Sequence, residues 1–178
     1  MARHLPHRPL LLALAASLIA SSALADGEID RLITPADRDR LAKFDVAKQE
    51  ALAEAKAGGD PTEYAALIET LDKPTIPIND LKLTGDWQCR TTKVGNISPL
   101  VVYGWFRCRV TDDGSGWKLE KISGSQRTIG RFYTESDKRL TYLGAGYVND
   151  DPAPKYGAGP KSDQVGYAVA TGPNAWRI

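Results

Sequence analysis

Hydrophobic and polar positions divide the chain into three patterns. An apolar run covers Leu10 to Ala20. Apolar positions then recur at helical spacing between Thr34 and Leu71. From Leu81 onward they alternate, as in strands with one buried face. In the helical stretch, Thr34-Pro35-Ala36-Asp37 supplies a capping hydroxyl, a proline at the first helical position and a carboxylate two residues later. Leu41, Phe44, Leu52 and Ala55 continue one helix to the stop at Gly58-Gly59. Asp60-Pro61-Thr62-Glu63 starts a second, with Tyr64, Leu67, Ile68 and Leu71 on one stripe, ended by Pro74 and Pro77. The tight Gly-Gly-Asp turn makes the pair a helical hairpin, preceded by a short tail from Asp26 to Ile33.

The alternating region predicts an antiparallel β domain. Gly85 to Val110 holds its first two strands, with Trp87 and Cys89 on one face of the first. In the second, Val102, Gly104, Phe106, Cys108 and Val110 share the inner face, and Tyr103, Trp105, Arg107 and Arg109 point outward. Asp112-Asp113-Gly114 is a hairpin turn. Further strands are expected at 117–122, 128–134, 139–148 and 164–170, with a seventh beginning at Ala175. A long patternless loop runs from Asn149 to Asp163. Strand glycines at 104, 130, 144, 146 and 166 suit the bends of a small coiled barrel. A closed barrel of this kind usually takes about eight strands. Its edge is therefore expected to pair with the helical arm or another chain, or to await a further strand.

The apolar run at the N-terminus changes this picture. With Arg3 and Arg8 before it and Ser21-Ser22-Ala23-Leu24-Ala25 after it, residues 1–25 read as a secretory signal peptide. The run is shorter than the roughly 20 residues that a membrane span needs. Residues 26–80 then form the acidic helical arm with its linker, and residues 81–178 the β domain. Export implies a periplasmic or secreted location, in which the even pair Cys89 and Cys108 is expected to form a disulfide.

Removing residues 1–25 also removes His4 and His7, the only histidines in the chain. A Ser-His-Asp or Cys-His nucleophile pair, a histidine base and a histidine-ligated metal are thereby excluded from the mature form. Carboxylate, lysine or tyrosine catalysis stays open, with no residues singled out for it. Residues 26–73 carry a net charge of −5 and residues 74–178 one of +4, so the arm and the β domain are expected to dock. The alternative is a detachable arm for a basic partner.

Two stretches are candidate partner contacts. The outward row Tyr103, Trp105, Arg107, Arg109 interleaves rings and cations, a composition able to stack bases and bind phosphates. No nucleic-acid motif accompanies it, and the acidic hairpin is expected to cover it. Asp150 and Asp151 open the long loop that continues through Tyr156. They lack the spacing of a calcium loop, so no metal or cofactor is assigned. Gly144-Ala145-Gly146 and Ser123-Gly124-Ser125 complete no phosphate-binding pattern.

Gly85-Asp86-Trp87 at the head of the first strand resembles the Gly-x-Trp signature of the calycin barrels, which include the lipocalins. The resemblance implies a tryptophan closing the barrel floor beneath a late basic residue, the place Arg177 would take. Leu32-Ile33-Thr34-Pro35-Ala36-Asp37, the stretch Val101 to Cys108, and Leu143-Gly144-Ala145-Gly146-Tyr147 resemble a family of exported proteobacterial proteins classed as domain of unknown function 4893. By architecture the chain is also similar to the periplasmic metalloprotease inhibitors, from which it departs in having two helices for an N-terminal extension. Together these readings imply an α+β protein: a helical hairpin, then a small antiparallel calycin-like barrel with one disulfide. The expected role is non-enzymatic binding of a protein or other envelope component, without nucleic acid and without a transmembrane segment after signal cleavage. A carrier of a small hydrophobic ligand in the barrel lumen and a periplasmic protease inhibitor are the alternatives. The bulky inward set, Trp87 and Phe106 among it, leans against the carrier.

Overall fold

The computed structural model describes residues 26–149 and 151–178. The signal-peptide reading of residues 1–25 therefore lies outside the described residues, as does Asp150. Among the described residues four α-helices come first: α1 (Asp26–Leu32), α2 (Pro35–Ala42), α3 (Phe44–Gly58) and α4 (Pro61–Asp72). Seven strands follow: β1 (Gly85–Val94), β2 (Leu100–Asp112), β3 (Trp117–Lys121), β4 (Gln126–Thr134), β5 (Leu140–Val148), β6 (Asp163–Gly172) and β7 (Ala175–Arg177). They form one antiparallel meander in the order β1 to β7, curled into a half-barrel. The α+β class and the strand succession agree with the sequence pattern to within a few residues.

The helical part departs from it in two places. The expected tail is helical as α1, and the single helix expected from Thr34 to Gly58 is broken at Lys43. There the backbone leaves the helical region (φ −99°, ψ 6°), and the Lys43 N–H turns back to the carbonyls of Arg40 and Leu41. The break serves packing. It sets α2 against β6, puts the Phe44 ring edge-on to Tyr167 at 5.0 Å, and sends α3 across β1 and β2. Small residues let α3 approach closely: Ala55 is fully buried, and Ala51 touches Gly95 in the β1–β2 turn. Asp60 caps α4 by accepting from the N–H groups of Thr62 and Glu63, both at 2.9 Å.

The core sits inside the curl. Val110, Leu119, Phe132, Leu140, Tyr142, Ala168 and Ala170 point inward from the strands. The linker supplies Ile78, Leu81 and Leu83 to the same cluster, and Ile76 bridges to Ala170, so the segment before β1 is part of the β-domain core. The strand glycines have a more specific use than bends. Gly130 and Gly144 lie beneath the Tyr142 ring, where a Cβ would fall 2.6 Å or less from its atoms. Tyr142 thereby lies flat on the sheet, its hydroxyl 2.6 Å from Thr128 Oγ1. Burial pushes that hydroxyl's pKa up to about 12, the hydrogen bond to Thr128 opposing it.

Among the described residues β1 and β7 are not paired by backbone. Rings cross the seam instead. Trp87 meets Trp176 edge-to-face at 5.8 Å, Trp176 meets Phe132 at 5.6 Å, and Phe132 meets Tyr142 at 5.4 Å. Such pairs contribute about 1 kcal/mol each beyond their buried area. Cys89 and Cys108 form the expected disulfide, tying β1 to β2 at a Cα separation of 6.0 Å. Replacing both cysteines by alanine should cost about 3 kcal/mol, measured by urea unfolding. Trp176→Ala should cost at least as much, about 3 kcal/mol, with the loss of near-ultraviolet dichroism as a second reading. A change below about 1 kcal/mol would mean that the seam does not depend on these rings.

Candidate binding face

One end of the β1–β2 pair is sheltered and the other open, and a β-bulge separates them. Arg90 pairs with Trp105, but Thr92 pairs with Val102, so Tyr103 and Gly104 together oppose Thr91. The extra residue inverts the facing of β2. Val102 and Leu100, expected inward or unassigned, lie on the outer face with Thr92 and Val94. There Leu100 is buried against Gly59, at the junction of α3 and α4. Glu54 of α3 accepts from the Asn96 N–H at 2.8 Å. Beyond the bulge the outer face carries Asp86, Gln88 and Arg90 on β1, paired with Arg109, Arg107 and Trp105 on β2.

This second half is uncovered, which corrects the expectation that the acidic helices shelter the row. Trp105 is 64% exposed. The Arg90 guanidinium lies over its ring at 5.1 Å, a cation–π contact that holds the indole upright. Arg109 donates to Asp86 at 2.6 Å, and that contact holds the Asp86 carboxyl below its usual range. The side chains of Arg107 and Gln88 make neither a hydrogen bond nor a ring contact with a described residue, whereas Arg109 bonds Asp86 and Arg90 lies over Trp105. A groove of about 190 Å³ runs between these groups, with Asp86, Gln88, Arg107, Arg109 and Ile122 around it and the strands at Trp87 and Cys108 beneath. A groove lined by a guanidinium and an amide that bond no described residue and by an apolar wall, with an exposed indole nearby on the same face, suits a carboxylate next to an apolar group. Tyr103 does not join this row. It sits at the bulge, where the Lys93 ammonium lies 5.4 Å from its ring.

The barrel-signature residues are placed differently from one another. Gly85 opens β1 with φ +141°, backbone that other residues rarely adopt. Trp87 is half-buried and packs against the core cluster, its indole N–H donating to the Leu83 carbonyl at 2.7 Å. The neighbour that crosses the seam to it is Trp176, and Arg177 has another use. Its guanidinium donates to the carbonyls of Thr70 and Leu71 at 3.1 and 3.0 Å, and to that of Lys73, at the C-terminal end of α4. A cation there completes carbonyls that the helix leaves unbonded.

The long loop, expected as a partner contact, is largely engaged within the chain. Tyr156 accepts from the Thr34 N–H at 3.1 Å and donates to Asp37 at 2.6 Å. Thr34 in turn accepts from the Asp37 N–H at 3.2 Å. Tyr156 has thus entered the expected capping box, taking the place that the Asp37 carboxylate would hold. Asp37 is 1% exposed and also accepts from Arg40, which donates onward to the Asp163 carbonyl at 3.0 Å. The buried Asp163 carboxylate receives the N–H groups of Gly157 and Gly159, both with positive φ. Asp151 is exposed. The cap at Thr34 was readable locally, but no local signal announces a tyrosine arriving from more than a hundred residues away. Lys121 was also missed, although the alternation Leu119, Lys121 places it inward. It lies 3.8 Å over the Phe106 ring and donates to the Gln126 carbonyl at 2.6 Å.

Burial works against the charge on Asp37, but hydrogen bonds from Tyr156 and Arg40 outweigh it and hold its carboxyl below the usual range. A depressed folded-state pKa stabilises above the unfolded value of about 4, and that stabilisation is lost as pH falls through the folded value. Asp37→Asn should therefore lower stability near neutral pH by about 2 kcal/mol. The deficit relative to the parent should shrink as pH drops below about 4 in urea titrations; a deficit independent of pH would remove the carboxylate's charge from this account.

The model of the family described as Domain of unknown function (DUF4893) matches residues 30–178. Neither the curated proteins nor the solved structures contain a match.

Proposed function

The chain belongs to the DUF4893 family, and we propose that it is an exported, non-enzymatic binding protein of the cell envelope. In this reading it captures an acidic segment of another protein on the open half of its β1–β2 face. The observation that carries the reading is Trp105, exposed and braced by Arg90, beside a groove where the Arg107 and Gln88 side chains have no hydrogen-bond partner among the described residues. Exposed tryptophan and arginine side by side are the residues that dominate protein interfaces. Arg107 offers a planar fork for a carboxylate, and Trp105 a shelf for the apolar residue next to it.

The interior supports this reading over a hydrophobic-ligand carrier. The space among Ile78, Leu81, Leu83, Phe132 and Trp176 is too small for a water molecule. We also read the curled half-barrel opened by Gly85-Asp86-Trp87 as calycin-like, and α3 with α4 as the hairpin of its arm.

The test is a titration of the full chain with a labelled peptide of alternating glutamate and phenylalanine, followed by fluorescence anisotropy. Trp105→Ala and Arg107→Gln should each weaken binding by roughly thirtyfold, while Lys118→Gln, on the outer face but away from the groove, should not. Added salt should weaken the parent more than Arg107→Gln. Equal affinities for the parent and both variants would overturn the reading.

A further inference from the structure

The first strand has one free side. β1 is hydrogen-bonded along its length to β2, and its other edge carries no backbone partner among the described residues. The N–H and C=O groups that Gly85 to Val94 turn away from β2 form a template for another strand, since they have no backbone partner among the described residues. Nothing in Gly85 to Val94 is a proline, and the bulge that would normally disrupt such an edge lies on β2 instead.

What the edge accepts follows from its own charges. Consider β1 of a second copy running antiparallel beside the first, related by a two-fold axis. For the sheet to continue with outer face beside outer face, even-numbered residues must oppose even-numbered ones. With the axis at Gln88, Asp86 of each copy faces Arg90 of the other, twice by symmetry. The same register sets Trp87 opposite Cys89 on the inner side and Gly85 opposite Thr91. An axis at Trp87, Cys89 or Arg90 places no opposite charges across from each other. Asp86 and Arg90 both lie on the exposed outer face, so cross-strand ion pairing there needs no burial of charge.

We propose that the chain forms a two-fold dimer through its β1 edge in this register, joining two half-barrels into one continuous sheet. The interface is isologous, as a closed two-fold assembly requires. It rests on the strand edge and its charge pattern, and stands whether or not the neighbouring face binds an acidic partner. In the dimer the two exposed Trp105–Arg107 faces become adjacent, so a partner with two acidic segments would engage both at once.

Sedimentation velocity on the full chain, from low micromolar to submillimolar concentration, tests the proposal. A reversible dimer is expected. Arg90→Asp sets carboxylates against each other twice and should weaken association roughly tenfold, because each cross-strand pair changes sign. Asp86→Arg combined with Arg90→Asp should restore it, and no other register gives that rescue. Amide exchange on the unmodified chain supplies a second measurement free of any folding defect in the variants. Protection should rise with concentration along Gly85 to Thr91 and stay constant in β5. A monomer throughout, a dimer indifferent to the charge exchange, or exchange in β1 independent of concentration would each overturn it. Loss of acidic-peptide binding in Arg107→Gln without change in association would leave the dimer standing.

Discussion

Trp87 and Trp176 meet across a seam that no backbone hydrogen bond closes among the described residues. A seven-stranded meander with two free ends would otherwise relax toward an open, twisted sheet, since twist alone does not bring its ends together. The rings supply the missing closure from inside, and their relay through Phe132 to Tyr142 distributes it over the middle strands. Two further sets of contacts act near this seam. The linker brings Ile78, Leu81 and Leu83 into the core cluster, which Trp176 borders, and on the outside α4 contacts β2 while its last carbonyls receive Arg177 of β7. The tryptophan pair is thus lined on one side by apolar packing and answered on the other by a helix terminus.

The arm is fixed by polar rather than apolar means at its start. The stripe residues of the helices remain partly exposed, and the most deeply buried side chain among them besides Ala55 is an aspartate. Asp37 is tolerable there because Tyr156, Arg40 and its own cap occupy its surroundings. This arrangement makes the stretch from Tyr156 to Asp163 a clamp on α2 that needs no secondary structure of its own.

How much of this was legible depended on whether a feature was local. Strand alternation, the caps at Thr34 and Asp60 and the pairing of Cys89 with Cys108 all rest on neighbours within a turn or on the arithmetic of two cysteines, and these agree with the structure. The break at Lys43 escaped because it answers to Tyr167, far along the chain, and no glycine or proline marks it. The bulge at Tyr103-Gly104 escaped for a related reason: glycine announced irregularity, but its register shift is defined only against Thr91 of the facing strand. Arg177, expected over Trp87 at the barrel floor, instead meets the end of α4, and alternation from Trp176 already turns it away from the interior. Of the candidate face, Trp105, Arg107 and Arg109 were identified by alternation, while Arg90 and Gln88 required the pairing register to bring them alongside.

The bulge has a consequence for how such a sheet tolerates change in length. On its two sides, a single strand obeys opposite rules for which residues meet solvent, so the strand behaves as two short segments joined by a phase shift. Loss of Gly104 would return β2 to uninterrupted alternation, and one segment would then present its wrong side. The apolar residues now under α3 and α4 would move to the interior, or the arginines and Trp105 would be driven into it. Insertions and deletions near that point are thus inversions in disguise, whereas the same changes in the β1–β2 turn alter only its reach.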